Sequence, residues 1–565
     1  MRNNSAESTN ISGFAIAALM FVMAVHLFFL WQAQPGFQAS DDLAYAYAAN
    51  NILHNKFQLA PGHFLNRFGV TVPTALSYSL FGVNNYSTVL WPIVCSLIMV
   101  VTLYFTTLRI FGVASAFFAA FLLAINPAQI KFAVHLGPDI VVSMALFLVV
   151  VTLYFARSDF SERSSALLGT LLSLFFYLAV LAKLTAVWVL PFLFLVFIRD
   201  MFNRQHLELW VWICSSAVLF GVVFFGLYYI YTGDPLYRLT GIEQGVNLVA
   251  RYSYQHKPAI ELIKRLTVEP VAFLFKWPEV LILMVLAVPV TFSSVVAQQK
   301  IVRYWLVFVL VVFAMFWFGS TSLSHYNPIT MLPRMLLPIL PALSILAGVV
   351  LAKVFITGPV VDGRRVVKLL LAFFMVILLA ITVGEFGRKA TFQQDILFTT
   401  FSLWLFYLIS HPVLKNHFIY KFRDGLPALA MVCACFVAAL FHVNGGLGET
   451  NNQRSERFIV ENFFIDQKKP TAVFMDKRSV VSIPFFLGFK EQPKLRLIHW
   501  EEIPENLEEG SRILVLINSN RITAMNALYS FPIPDFAKKP PSDWNLLWSG
   551  GRVALYEVDD VRELM

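Results

Sequence analysis

Along most of this chain, apolar residues come in long unbroken runs instead of alternating with polar ones. Such runs fall near 14–31, 88–108, 112–130, 138–156, 165–198, 208–231, 276–297, 302–320, 335–356, 366–384, 396–411 and 425–443. Most approach the roughly 20 residues that a helix needs to cross a bilayer. The run at 165–198 is interrupted only by Lys183. As one helix its 34 residues would extend about 51 Å, against a hydrocarbon core of roughly 30 Å. It therefore predicts two short spans that meet near Lys183, and the total comes to thirteen.

Three segments break this pattern. Residues 32–88 and 232–276 read as long connections, the first with an acidic pair near its start and the second rich in Tyr, Arg, His and Lys. After Asn444-Gly-Gly-Leu-Gly448 the composition becomes that of an ordinary soluble domain. Strand-like runs appear there at 471–476, 496–500, 512–518 and 552–558, separated by helix-like stretches. The expected organisation is a polytopic helical membrane domain over 1–444 and a small α/β domain over 445–565. No internal repeat, Walker motif or GxGxxG turn is present.

Composition removes the soluble alternatives. Hydrophobic residues make up 58% of the 565 positions and charged residues only 14%, with 55 Phe. Surface-to-volume scaling leaves every soluble fold an outside that must be wetted, and this chain lacks the polar residues to cover it. A cytosolic enzyme, a disordered scaffold and a disulfide-stapled secreted domain are all excluded. The net charge of +9 is not a nucleic-acid signal, because residues 445–565 carry 15 Lys and Arg against 17 Asp and Glu. The basic excess belongs to the membrane part, with no basic run interleaved with aromatics. Cys95, Cys214, Cys433 and Cys435 all sit in apolar runs and read as small core residues.

The same charges orient the chain. With the N-terminus inside, every inner connection contains Lys or Arg, from Arg109 through Arg157 and Arg163 to Lys421 and Arg423. Thirteen crossings then place the C-terminal domain outside. The first run lacks a small-x-small cleavage site and reads as an uncleaved helix.

Candidate chemistry gathers at the predicted outer ends of the spans. Ser40-Asp41-Asp42-Leu-Ala-Tyr45 places two adjacent carboxylates beside the first span, with Asp42 and Tyr45 one helical turn apart. These acids read either as a general base that takes a proton from an acceptor hydroxyl, or as a pair starting a surface helix. Tyr45 also suits interfacial depth. Pro138-Asp139 fits the first turn of a helix, and Asp139 is equally a second acid facing the same cavity. An ionisable group within an apolar run is a functional candidate by default, and the natural partner for Lys183 would be a phosphate. Snorkelling to the interface is the plain alternative. Arg334, in a run marked by Pro333, Pro338 and Pro341, suits bidentate contact with the same phosphate. Arg67 and His63 are further members of that cluster or solvated loop residues. His63 and His135 join Asp139 and Tyr45 as candidates for lining the cavity on the acceptor side. No HExxH or CxxC spacing assigns a metal, so a divalent ion stays open as cofactor.

In their order along the chain these pieces resemble the GT-C superfamily of membrane glycosyltransferases, and within it the bacterial protein O-mannosyltransferase and aminoarabinose-transferase families. The residues that carry the resemblance begin with Asp41-Asp42, followed by Arg67-Phe-Gly, Pro73 and Tyr78-Ser-Leu-Phe81-Gly82. Asn126-Pro127, Pro138-Asp139, Lys183-Leu-Thr185 with Pro191, and Pro333-Arg334 with Pro338 and Pro341 complete the set. The resemblance spans roughly residues 10–350. It implies a polyprenyl-phosphate sugar donor, transfer with inversion at the outer face of a bacterial cytoplasmic membrane, and a lipid, glycan or protein acceptor. Asp41 or Asp42 would then be the base, with Lys183, Arg334 and Arg67 on the lipid phosphate. The chain has Asp-Asp-Leu-Ala-Tyr where the aminoarabinose transferases hold an acidic pair closer to an Arg-Tyr, so the acceptor stays open. A transporter or flippase of lipid-linked glycans, and an oligosaccharide polymerase or ligase, are the other readings.

Overall fold

The computed structural model describes residues 13–59, 66–158, 162–243, 257–292, 300–357 and most of 432–564, together with Tyr254. The chain divides into two compact units. One comprises Met1–Ala33, Gln58–Val70 and Pro92–Gly445, and the other Gln34–Phe57, Thr71–Trp91 and Gly446–Met565.

The first unit is helical. Among the described residues eight helices are long and apolar enough to cross a membrane, or nine if one bent pair counts as a span. The helices that matter here are α1 (Gly13–Gln32), α2 (Asp41–Leu53), α3 (Phe68–Phe81), α4 (Asn85–Phe111), α5 (Val113–Ala124), α6 (Pro127–Ala133), α7 (Pro138–Ser158), α8 (Glu162–Ala182), α9 (Leu190–Phe202) and α10 (Leu207–Thr232). Helix Lys300–Phe318 and the 3₁₀ turn Pro333–Ile339, continued by helix Leu340–Thr357, follow. The spans expected at 366–384 and 396–411 lie outside the described residues. Residues 32–88, read from sequence as a connection, contain α2 and α3.

Side-chain exposure separates lipid-facing from central helices. α10 leaves Val211, Val218, Val222 and Ile230 exposed, which suits a helix bathed in lipid. In α7 the residues from Pro138 to Phe147 are all buried, so this helix lies at the centre of the unit. Several polar groups inside find partners. Asn126 caps α6 and accepts from the Ala128 and Gln129 amides, where the chain bends by 58°. His26 of α1 meets the Ala124 carbonyl at 2.7 Å and the Ser96 hydroxyl at 2.8 Å. At the far end of α7, Arg157 donates twice to the buried Asp200 carboxylate, at 2.9 and 2.6 Å.

The C-terminal part of the second unit contains a five-stranded sheet in the order β2-β1-β3-β5-β4. Its strands are β1 (Thr471–Met475), β2 (Leu495–His499), β3 (Arg512–Asn518), β4 (Asn545–Gly550) and β5 (Val553–Val558). β1 pairs parallel with β2 and β3, whereas β5 pairs antiparallel with β3 and β4. Val473, Met475, Leu514 and Leu516 fill one core, and Ala472, Phe474, Ile513, Val515 and Ile517 the other. Both faces are therefore covered, which explains why these strands read as continuous apolar runs. Four of the five strands coincide closely with the expected runs. β4 escapes the pattern because it is a mostly exposed edge strand with a bulge between Leu546 and Trp548. Arg552, expected to start the last strand, lies instead in the β4–β5 turn, where Gly551 and Arg552 both have positive φ as a tight hairpin requires.

Candidate active site

In the first unit, Asp139 is the second residue of α7. Pro138 at the first position forgoes an amide that the helix leaves unpaired anyway, and a carboxylate in the first turn is favoured by the helix dipole. Lys183 lies where α8 stops. Its backbone is extended (φ −161°, ψ 133°) between Ala182 and the 3₁₀ turn Leu184–Val189, so the long apolar run is indeed two spans meeting at this residue. The Lys183 amine donates to Asp139 Oδ1 at 2.6 Å and contacts Met335 Sδ at 3.2 Å. Arg334 enters its own 3₁₀ turn, Pro333–Ile339, and its Nε lies 3.9 Å from Asp139 Oδ2. Ser143 of α7 donates to the Leu337 carbonyl at 2.8 Å and ties this turn to the helix that carries Asp139.

Arg67, buried to 6% exposure, lies near enough for its charge to act on both Asp139 and Lys183. Gly69 is the reason it can. A Cβ there would sit 2.7 Å from the Ala182 amide nitrogen, so only glycine lets the start of α3 approach the end of α8 this closely. Three cations thus surround one carboxylate. Asp139, Lys183, Thr185 and Arg334 line a pocket whose remaining wall includes Val142, Leu146, Trp188 and Val312.

His135 is half-buried in the turn before α7, and His63 lies outside the described residues. Asp41, Asp42 and Tyr45 belong to the second unit. Ser40 is the N-cap of α2 and the two acids form its first turn. Asp42 and Tyr45 are both fully buried, as one turn of helix predicts, and Asp41 is half-buried. Asp42 Oδ2 accepts from the Gln38 amide and its Oδ1 from the Ser40 amide, each at 2.6 Å. It braces the loop that leads into α2. Ala39 in that loop has φ 53°, a left-handed conformation that costs a non-glycine residue about 1–2 kcal/mol.

Among the described residues no group of three His, Cys, Asp or Glu side chains could hold a metal ion. The sequence pattern gave no sign of Met335, which follows directly on Arg334, and Thr185 entered only as part of the Lys183-Leu-Thr185 motif. Gly69 likewise entered only within the Arg67-Phe-Gly motif, with no packing role attached to it.

The sequence profile of the dolichyl-phosphate-mannose-protein mannosyltransferase family matches residues 71–229. In structure, the chain is similar to ArnT from Cupriavidus metallidurans in the apo state, with 15% identity, a TM-score of 0.54 and coverage of 96% of this chain and 98% of that one. ArnT bound to undecaprenyl phosphate gives 14% identity and a TM-score of 0.55, over 97% of this chain and 99% of that one. The chain has the fold of the GT-C membrane glycosyltransferases. No curated protein matches it by sequence. These matches extend over residues of both units.

Proposed function

We propose that this protein transfers a sugar from a polyprenyl-phosphate donor to an acceptor hydroxyl or phosphate at the outer face of a bacterial cytoplasmic membrane, with the N-terminus inside and the C-terminal domain outside. The observation that carries the reading is the convergence of Lys183, Arg334 and Arg67 on Asp139 at a pocket whose other wall is apolar. One carboxylate against three cations leaves net positive charge for an anionic headgroup. Valine, leucine and tryptophan beside it suit an isoprenoid chain. The family whose profile matches acts from dolichyl-phosphate mannose, and a structurally similar protein has been described with undecaprenyl phosphate bound.

In this reading the anomeric carbon–oxygen bond to the donor phosphate breaks as the acceptor oxygen bonds to the same carbon from the opposite face, so the anomeric centre inverts. The phosphate departs already ionised and needs no strong acid. Lys183 and Arg334 stabilise its growing charge with preorganised donors. The acceptor proton passes to Asp41. Asp41 is the better base of the pair because Asp42 is fully buried, whereas Asp41 is only half-buried. Asp139 keeps Lys183 and Arg334 in place. Tyr45, His135 and His63 remain candidates for the acceptor side.

Mass spectrometry of envelope lipids, glycans and glycoproteins tests this, comparing cells that lack the protein with cells complemented by wild type, Asp41→Asn or Asp42→Asn. One species should lose a single sugar mass and regain it with wild type. Asp41→Asn should restore it on the order of 10²–10⁴-fold less well, the usual worth of a general base. Full restoration by both variants would remove the acid-base reading and favour a transporter of lipid-linked glycans.

A further inference from the structure

We infer that the C-terminal domain is the positioning device for the acidic loop, and that Arg478 is the residue through which it acts. This rests on the reading of Asp41 as the base. The loop 34–42 lies in the same compact unit as residues 446–565, although more than 400 positions separate them in sequence.

The contacts are specific and run along the whole loop. Arg478 Nε and Nη2 both donate to the Ala39 carbonyl, at 3.1 and 2.8 Å. Ala39 is the left-handed residue two positions before Asp41, so the guanidinium grips the backbone where the chain turns into α2. Arg478 itself is fixed near the N-terminus of the helix Lys477–Phe486, whose cap, Asp476, accepts from its amide at 3.0 Å. The Phe37 ring stacks on Phe485 of the same helix with centroids 3.9 Å apart. The Tyr47 hydroxyl donates to the Val481 carbonyl at 2.9 Å.

A second set of bonds clamps the loop to the chain where it enters the soluble domain. Gln38 Nε2 donates to the Leu447 and Gly448 carbonyls at 2.6 and 3.0 Å, and the Glu449 amide donates to the Gln34 carbonyl at 2.9 Å. Gly448 is obligatory in this clamp, because a Cβ would lie 2.0 Å from the Gln34 carbonyl oxygen. Each end of the loop is thus held by a different segment of the C-terminal domain. A backbone strained at Ala39 persists only when its surroundings over-determine it, and these contacts supply that constraint. Arg478 touches no reacting atom. It is a positioning residue, acting through Ala39 on the carboxylate two residues later.

The experiment uses the full-length protein in detergent for hydrogen exchange, with product measured by mass spectrometry in complemented cells. Arg478→Ala should raise exchange in peptides covering 34–42 while β1 and β3 stay protected. Product should fall at least tenfold, binding of undecaprenyl phosphate should be unchanged, and Arg478→Lys should recover part of the loss. Unchanged exchange in the loop, or product at the wild-type level, would overturn the inference. Should Arg478→Ala fail to fold, Gln38→Ala takes its place with the same expectations. Asp41→Asn, run in parallel, separates the two claims. A fully active Asp41→Asn removes the base reading, whereas an inactive Asp41→Asn beside a fully active Arg478→Ala removes the positioning role alone.

Discussion

Lys183 and Asp139, 44 residues apart in sequence, meet at 2.6 Å with little of either side chain exposed. The ammonium belongs to a helix break and the carboxylate to a helix start, so neither residue needs the other for its local conformation. Removing one member of a buried pair leaves the other charge uncompensated, typically at a cost of about 3–5 kcal/mol. Asp139→Asn and Lys183→Met should each lower the melting temperature in detergent. The double variant should regain much of that stability. It should not regain affinity for undecaprenyl phosphate, since a charge-assisted hydrogen bond is worth about 1.5–3 kcal/mol, or roughly 10–150-fold. Recovery of both stability and binding would show that the pair serves the fold alone.

Gly69 sets the approach of α3 to α8. The atoms that a side chain would meet are the Ala182 amide nitrogen and the Leu178 carbonyl oxygen, at 2.7 and 3.0 Å, and backbone cannot swing aside. Gly69→Ala should therefore displace Arg67 from Lys183 and weaken undecaprenyl phosphate binding in a titration. Gly221→Ala, where a Cβ meets nothing within 4 Å, should bind as wild type does.

Glu243 clasps the segment that precedes Arg334. Its carboxylate accepts from the Ser322 and Ser324 hydroxyls at 2.7 and 2.6 Å and from the Leu323 amide at 2.6 Å. These donors hold its pKa down at about 2, below the ordinary value of 4.5. A depressed carboxylate pKa contributes stability that is fully present above the unfolded value and is lost as pH falls through the folded one. The clasp should thus keep residues 319–332 equally protected from exchange between pH 8 and pH 5, and release them only as pH falls toward 2. Glu243→Gln should raise exchange there at pH 7. Loss of protection already at pH 6 in the wild type would contradict this.

Glu456 and Arg521 form the buried ion pair of the C-terminal domain, at 2.8 Å. Burial pushes the Glu456 carboxyl above its ordinary range, while Arg521 pulls it back. Arg521→Met removes that pull, so the folded-state pKa rises further above the unfolded one. An acid with a raised folded pKa destabilises the fold as pH climbs through the interval between the two values. The melting-temperature gap between Arg521→Met and wild type should widen from pH 5 to pH 7. A gap independent of pH would mean that Glu456 does not titrate between the two.

The amino-acid sequence by itself determined the membrane character, the long apolar spans and four of the five strands, because burial by lipid or by two covered sheet faces imprints runs of apolar residues. It also marked Asp139, Lys183 and Arg334, since charges are costly in such runs and therefore conspicuous. Only the tertiary structure decided that these three share one pocket. Their convergence depends on the two 3₁₀ turns, and the approach of Arg67 to them on Gly69, whose effect is to bring distant segments together. The exposed edge strand β4 stayed hidden because exposure erases the apolar signal. The different burial of Asp41 and Asp42 was equally invisible. Adjacent carboxylates are the same in sequence, and what separates them is which of the two the folded chain turns inward.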